Sequence, residues 1–378
     1  MRIWLYDENG YPSGYAGGQV LAAEPDHEAK GLYRNPATGE FIIAPSYEGT
    51  HNCNNYSAKA RTINLLSKEA VGAFIRVTHE RYAKELGAIF DNIEAFFTDE
   101  PALNVVYLPE IPNAQDVLVL DEPDPNRPLY PGVPWSSSLQ TLFSDRDLSG
   151  LFLNLSCSNH LRCEFYQTVS KQLIENCFGQ IRAWCNAHEK LSSGHLLWEE
   201  ETTYHTPMYG NYLRCLMQLD IPGIDVLSAN PLGSYRYSRR AAALAASAAM
   251  LNGTRRIFTE SSDFMEQLNE ERLADTPEVI ASLAWQAAMG ITDFTFYFHF
   301  GECPELCDVT HKSLALDQKI LNRTPAAYLE INATVTNLVT QLLPLKLQPD
   351  VFLYYPVELM QAAYYPVIKP WEAGALSS

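Results

Sequence analysis

Three short apolar runs end in carboxylates: Ala95-Phe96-Phe97-Thr98-Asp99-Glu100, His195-Leu196-Leu197-Trp198-Glu199-Glu200 and Ile257-Phe258-Thr259-Glu260. Each reads as a buried strand that closes on an acid. A parallel barrel gathers its strand C-terminal ends at one mouth, so acids delivered there can meet. Two carboxylates across a pocket suit glycoside hydrolysis. One gives a proton to the leaving oxygen, and the other activates water or attacks carbon. Neighbours such as Phe96, Phe97 and Trp198 can desolvate one acid and push the pair's pKa values apart. Alternation puts Phe96, Thr98 and Glu100 on one strand face, His195, Leu197 and Glu199 on another, and Phe258 with Glu260. A consistent choice places Glu100, His195, Glu199 and Glu260 in the mouth. Strand ends twist, so Asp99 and Glu200 remain candidates. Singly, each glutamate also reads as a helix cap or ion-pair partner, and acids at barrel mouths bind metals in other enzyme classes.

Other residues carry weaker signals. His195 follows Gly194 and suits a bond to a sugar hydroxyl or a structural one. Asp225, in Pro222-Gly223-Ile224-Asp225, suits a substrate contact or a turn cap. Trp4, Tyr6, Trp198, Tyr204 and Tyr297 are candidates for stacking on sugar rings, although most barrel aromatics are core. Cys303-Pro-Glu-Leu-Cys307 lacks the second pair that a structural zinc site takes. The eight scattered cysteines read as reduced thiols.

These side chains need a frame. Strands are expected to begin at Ile3, Ile63, Ala95, Ser193, Ile224, Arg256 and Thr292. Helices are expected over Lys68 to about Phe90, Leu161–Ala187, Asn211–Leu219, Arg239–Leu251, Pro277–Met289 and Ser313–Leu342. In Leu161–Ala187, residues Phe165, Val169, Leu173, Cys177, Ile181 and Trp184 recur at helical spacing. Leu32–Ala44 reads as an inserted hairpin, and Val351–Pro356 as a further strand. Alternating strands and helices imply a parallel α/β fold. The expected architecture is an eight-stranded (β/α) TIM-like barrel, incomplete because its first strand is missing. A long loop insertion follows strand four, where eight prolines fall between Pro101 and Pro134. Residues 1–345 form the barrel in this reading, and 346–378 begin a following domain. A doubly wound sheet competes, but Gly14-Tyr15-Ala16-Gly17-Gly18 is not its phosphate-binding fingerprint.

Composition narrows the function classes. The 378 residues carry 27 basic and 45 acidic side chains, a net charge of −18. That opposes binding to nucleic acid or an anionic membrane surface. No apolar run is long enough to span a bilayer. The N-terminus does not read as a signal peptide, so a cytoplasmic location is expected.

The quoted pieces together resemble glycoside hydrolase family 106, the α-L-rhamnosidases and their relatives. The matching segments are Trp4-Leu5-Tyr6-Asp7-Glu8-Asn9-Gly10-Tyr11-Pro12-Ser13-Gly14 with Ala16-Gly17-Gly18, Phe97-Thr98-Asp99-Glu100-Pro101, Gly194-His195 with Glu199, Ile221–Asp225, Thr259-Glu260-Ser261 and Tyr354-Tyr355-Pro356. The resemblance implies that Glu100, Glu199 and Glu260 end barrel strands four, five and seven. It implies an inverting α-L-rhamnosidase. In the expected mechanism Glu100 is the general acid and Glu199 or Glu260 the base, with the other binding substrate or a cation. Tyr6, Asp7, Asp99, His195, Trp198 and Asp225 would contact the carbohydrate substrate. The residues themselves require no cofactor; the resemblance implies calcium near the site. A retaining β-glycosidase and a non-catalytic carbohydrate-binding fragment are the alternatives.

Overall fold

The computed structural model describes residues 63–106, 132–146, 148–152, 156–266, 272–296, 325–345 and 349–366, with three short strands before residue 48. An antiparallel pair, β1 (Leu32–Arg34) and β2 (Phe41–Ile43), forms the expected hairpin. Then come β3 (Ser46–Tyr47), β4 (Ala95–Thr98) and β5 (Val133–Pro134), and β5 pairs in parallel with β3. The remaining strands are β6 (Leu191–Gly194), β7 (Ile221–Val226), β8 (Phe258–Ser261) and β9 (Asp293–Phe296).

Strands β4-β6-β7-β8-β9 hydrogen-bond in that order, every neighbouring pair parallel. The order follows the chain without a reversal, which is barrel-like winding and not the doubly wound order. The sheet curls into half a barrel. Its curvature is visible in the rings of Phe97 on β4 and Phe258 on β8, whose centroids are 5.4 Å apart. Strands three places apart in a flat sheet would be separated by ~14 Å.

The eight-stranded barrel expected from the sequence is therefore corrected to a five-stranded parallel half-barrel among the described residues. Two expected strands do not form. Ile63–Leu66 ends in a turn in which Asn64 Oδ1 accepts from the Leu66 N–H and its carbonyl from the Ser67 N–H. Val351–Pro356 is irregular, with Val351 to Tyr354 exposed. The Ile3 strand lies outside the described residues.

Helices cover one sheet face. The expected Lys68–Phe90 helix is two, α1 (Lys68–Val77) and α2 (His79–Leu86), followed by a 3₁₀ turn. Ser67 caps α1 by accepting from the Ala70 N–H, an arrangement that contributes about 1 kcal/mol. After α3 (Ser137–Leu142), α4 (Asn159–Leu173) and α5 (Gly179–Ala187) run nearly as one helix, joined by a π turn at Ile174–Phe178. Then come α6 (Thr202–Tyr209), α7 (Tyr212–Leu216), α8 (Pro231–Asn252), α9 (Thr276–Ala288), α10 (Pro325–Leu342) and α11 (Val357–Ala363). No helix among the described residues is long and apolar enough to cross a membrane.

On the helix side, Phe96 packs among His79, Phe90 and Trp184. Ile224 and Val226 lie against Ala241, Ala242, Ala245 and Ala249 of α8. The small alanines let the helix sit close to the sheet. Phe294 and Phe296 join Val279, Leu283, Ile331 and Val335 of α9 and α10. Alternation then turns Phe97, Asp225, Phe258 and Glu260 to the concave face.

Candidate active site

The concave face is built around one histidine. His195 is the first residue after β6 and is almost fully buried. Gly194 brings it there: a Cβ on Gly194 would sit 2.2 Å from the Thr98 carbonyl oxygen, so only glycine allows β4 and β6 this approach. Across β7, Gly223 leaves room in the same way for Phe258 Cδ1, which a Cβ would meet at 2.4 Å. Pro222 pairs with Gly194 where the β6–β7 ladder ends, a place where its missing N–H is tolerated.

His195 Nε2 lies 3.1 Å from Glu260 Oε2 on β8 and 3.3 Å from Asp99 Oδ1 just beyond β4. The carboxylates only accept, so Nε2–H is shared between them. Burial alone pushes the imidazole pKa down. The bonds to Asp99 and Glu260, and the charges of Glu199 and Asp225, outweigh it, and the pKa ends well above the ordinary value. The Asp99 side chain is 69% exposed, whereas that of Glu260 is 18% exposed. Asp225 pairs in register with Glu260, so the two share a face of neighbouring strands. Burial pushes the Asp225 carboxyl up, His195 opposes this, and Glu100, Glu260 and Glu200 add to it.

Glu100 reaches the cluster by a different route. Alternation would turn it away if Asp99 faces inward. Its φ of +45° breaks the alternation and brings its carboxyl under the influence of His195, Asp99 and Glu260. Burial pushes that carboxyl up to about 7; His195 opposes the shift, and Asp99 and Glu260 reinforce it. Glu200, left open by the sequence, is also pushed up to about 7, chiefly by burial.

Glu199 is differently placed from the other acids. It does not end a strand: β6 stops at Gly194, and Glu199 lies in the following turn, where Trp198 takes φ +54°. It is 2% exposed. Oε1 accepts from the Asp225 N–H at 2.6 Å and Oε2 from the Tyr212 hydroxyl at 3.2 Å. Burial and the Glu200 charge push its pKa well up. These bonds make Glu199 a brace between the turn and β7.

The structure thus brings Asp99, Glu100, His195, Asp225 and Glu260 together, with Glu199 behind them. Tyr6 and Asp7, with Trp4 and Tyr297, lie outside the described residues, as do Cys303 and Cys307. Trp198 packs against the main core, its ring 5.4 Å from that of buried Tyr204. The aromatic that fronts the cluster is one the sequence reading treated only as a desolvating neighbour. Phe97 is 47% exposed, with its ring 5.6 Å from His195. An exposed phenylalanine in mid-strand, two residues before an acid, was the available signal.

Among the described residues, one group of side chains is placed to share an ion: Asp99, His195 and Glu260, with ligand atoms within 4.8 Å of one another. It does not fit calcium, which takes six to eight oxygens at ~2.4 Å. Here one donor is an imidazole nitrogen already bonded to both carboxylates.

No family model matches the chain, and no curated protein matches its sequence. A rhamnosidase of known structure from Novosphingobium sp. PP1Y aligns over 70% of this chain and 22% of its own, at 12% identity and a TM-score of 0.39. The chain spans about a fifth of that enzyme's length. A likeness at this level decides neither fold nor function.

Proposed function

We propose that the concave face is the active site of a glycoside hydrolase, with Glu100 as general acid and Glu260 as the second carboxyl of the pair. One observation carries the reading: a carboxyl that keeps its proton to near neutrality, Glu100, stands by a second carboxyl, Glu260, that His195 holds. Glu100 is half-buried, and desolvation pushes its carboxyl up to about 7, so it holds a proton close to neutrality. Glu260 is held in place by His195, whose Nε2 lies 3.1 Å from its Oε2. A protonated carboxyl and a second, fixed carboxyl suit the two roles that hydrolysis of a glycosidic bond needs.

The steps follow from these placements. Glu100 protonates the leaving oxygen as the anomeric centre gains positive charge. Glu260, steadied by His195, activates water or attacks the anomeric carbon. Carboxyls ~6.5–9.5 Å apart leave room for the water, and ~5–5.5 Å favours direct attack. Glu199, with both oxygens engaged, is not the base. The buried His195 Nδ1 and Asp225 Oδ1 have no hydrogen-bond partner among the described residues, and they suit the hydroxyls of a bound sugar. Phe97 offers an apolar surface to the ring.

The motif resemblance makes an α-L-rhamnoside, cleaved with inversion, the first substrate to try. The test is a panel of nitrophenyl glycosides that includes it, with Glu100→Gln as control. Hydrolysis that collapses in the variant supports the proposal; hydrolysis that survives removes Glu100 from its role. A second reading is non-catalytic carbohydrate binding, for which the five-stranded half-barrel among the described residues offers a concave face. Sugar binding without hydrolysis by the wild-type chain would select it.

A further inference from the structure

From the sequence, residues 346–378 are expected to begin a following domain. The described part, 349–366, packs on α4 and α6. Arg162, buried on α4, donates from Nε to the Ala362 carbonyl at 2.6 Å and from Nη1 to the Gly150 carbonyl at 3.1 Å. Gln361 Nε2 donates to the Gly210 carbonyl at 2.9 Å. The rings of Tyr364 and Tyr166 meet edge to face at 5.5 Å.

From this docked segment a chain of polar contacts runs to the site. Tyr355 Oη lies 2.8 Å from His205 Nδ1, and His205 Nε2 lies 3.0 Å from the Glu199 carbonyl oxygen. A carbonyl only accepts, so Nε2 carries the hydrogen. In the neutral ring Nδ1 is then an acceptor, and the Tyr355 hydroxyl is the donor. Burial holds the His205 pKa down at about 3, so this tautomer is the form present at neutral pH. The imidazole lies flat on Tyr212, with ring centroids 4.1 Å apart and planes 11° apart. The Tyr212 hydroxyl donates to Glu199, whose other oxygen takes the Asp225 N–H.

We propose that Tyr355 and His205 are positioning residues, through which the docked 349–366 segment latches the Glu199 turn and fixes Asp225 beside Glu260. The turn is gripped at its carbonyl by His205 and at its carboxyl by Tyr212. Glu199 in turn holds a main-chain N–H of β7 at the level where Asp225 and Glu260 pair. The latch itself is a statement about mechanical coupling; its effect on turnover rests on the glycosidase reading.

Amide hydrogen exchange on the whole chain separates the two. In Tyr355→Phe, the Asp225 amide should exchange at least tenfold faster than in wild type, on the order expected for losing one support of a local closure. The Thr259 amide in the adjacent strand should keep its wild-type rate. Tyr212→Phe, which leaves the docked segment untouched, should act in the same direction and serves if Tyr355→Phe folds poorly. An unchanged Asp225 amide, or a uniform rise across the sheet, overturns the latch. On any glycoside the wild type cleaves, Tyr355→Phe should lower kcat about tenfold with KM within twofold, the signature of misplaced reacting groups. A kcat loss that only follows the folded fraction also overturns it. A wild type that cleaves no glycoside defeats the glycosidase reading, and the exchange rates still decide the latch.

Discussion

The two ends of the same five strands are built on opposite principles. At the N-terminal edge, among the described residues, the charges of Arg256 and Asp220 are matched. Arg256, just before β8, binds Glu94 before β4 and Asp293 at the start of β9. Asp220, just before β7, accepts from Arg182 and from the N–H and hydroxyl of Ser192 on β6. At the C-terminal edge Asp99, Glu100, Glu199, Glu200, Asp225 and Glu260 surround one imidazole, and buried polar atoms remain without partners among the described residues. The first edge ties strand to strand. The second keeps charge in excess, which costs stability and creates groups able to hold or yield protons near neutrality. Division of labour between the two ends is what a parallel, barrel-like sheet permits.

The contrast breaks most sharply at Glu100. Glu100→Gln should reduce kcat about 10²–10⁴-fold on nitrophenyl glycosides, the range for loss of a general acid. Its thermal midpoint should not fall. At the opposite edge, Asp220→Ala removes the acceptor for Arg182 and Ser192. It should lower unfolding free energy by about 2–3 kcal/mol in urea titrations, with activity per folded molecule unchanged. A large activity loss there would show that the edges are not independent.

The pH dependence of stability sharpens the comparison. A carboxyl pushed up in the folded state binds its proton more tightly there than in the unfolded chain. Below about 4.5 both states are protonated and the shift has no effect; as pH rises toward about 7, stability is lost. Glu100→Gln lacks that loss. It should match wild type near pH 4 and exceed it by on the order of 1–3 kcal/mol at pH 8. The smallest effect belongs to Phe97, half-exposed on the concave face. Phe97→Ala should raise KM about three- to tenfold with little change in kcat or stability, as removal of one stacking surface would.

Much of this edge was legible in the sequence. Asp99 and Glu100 do follow a strand, and Glu260 does sit near the end of one. The His195 run misleads because burial is not strand structure. Leu196 is buried in the core, yet the backbone leaves the sheet at Gly194 and turns left-handed at Trp198. An apolar run in a buried turn has the same composition as a strand. Alternation chose Glu100 over Asp99, and the structure brings both to the cluster because the strand ends in a positive φ. β7 starts at Ile221, three residues before the expected Ile224, since Pro222 and Gly223 look like breakers but lie where a ladder ends and a ring needs space. The start of α8 was marked by an Asn230 cap and Pro231, signals that the alanine-rich stretch farther on overshadowed. Strand count was the least legible feature, because closure depends on pairing between distant segments and leaves no local mark.

The central claim is that Glu100, at the C-terminal edge, keeps its proton to near neutrality. The most direct measurement is carbon-13 NMR titration of side-chain-labelled glutamates, with the Glu100 signal assigned by its loss in Glu100→Gln. The account predicts a midpoint near 7 for Glu100. A midpoint in the ordinary range of about 4–5 would contradict it.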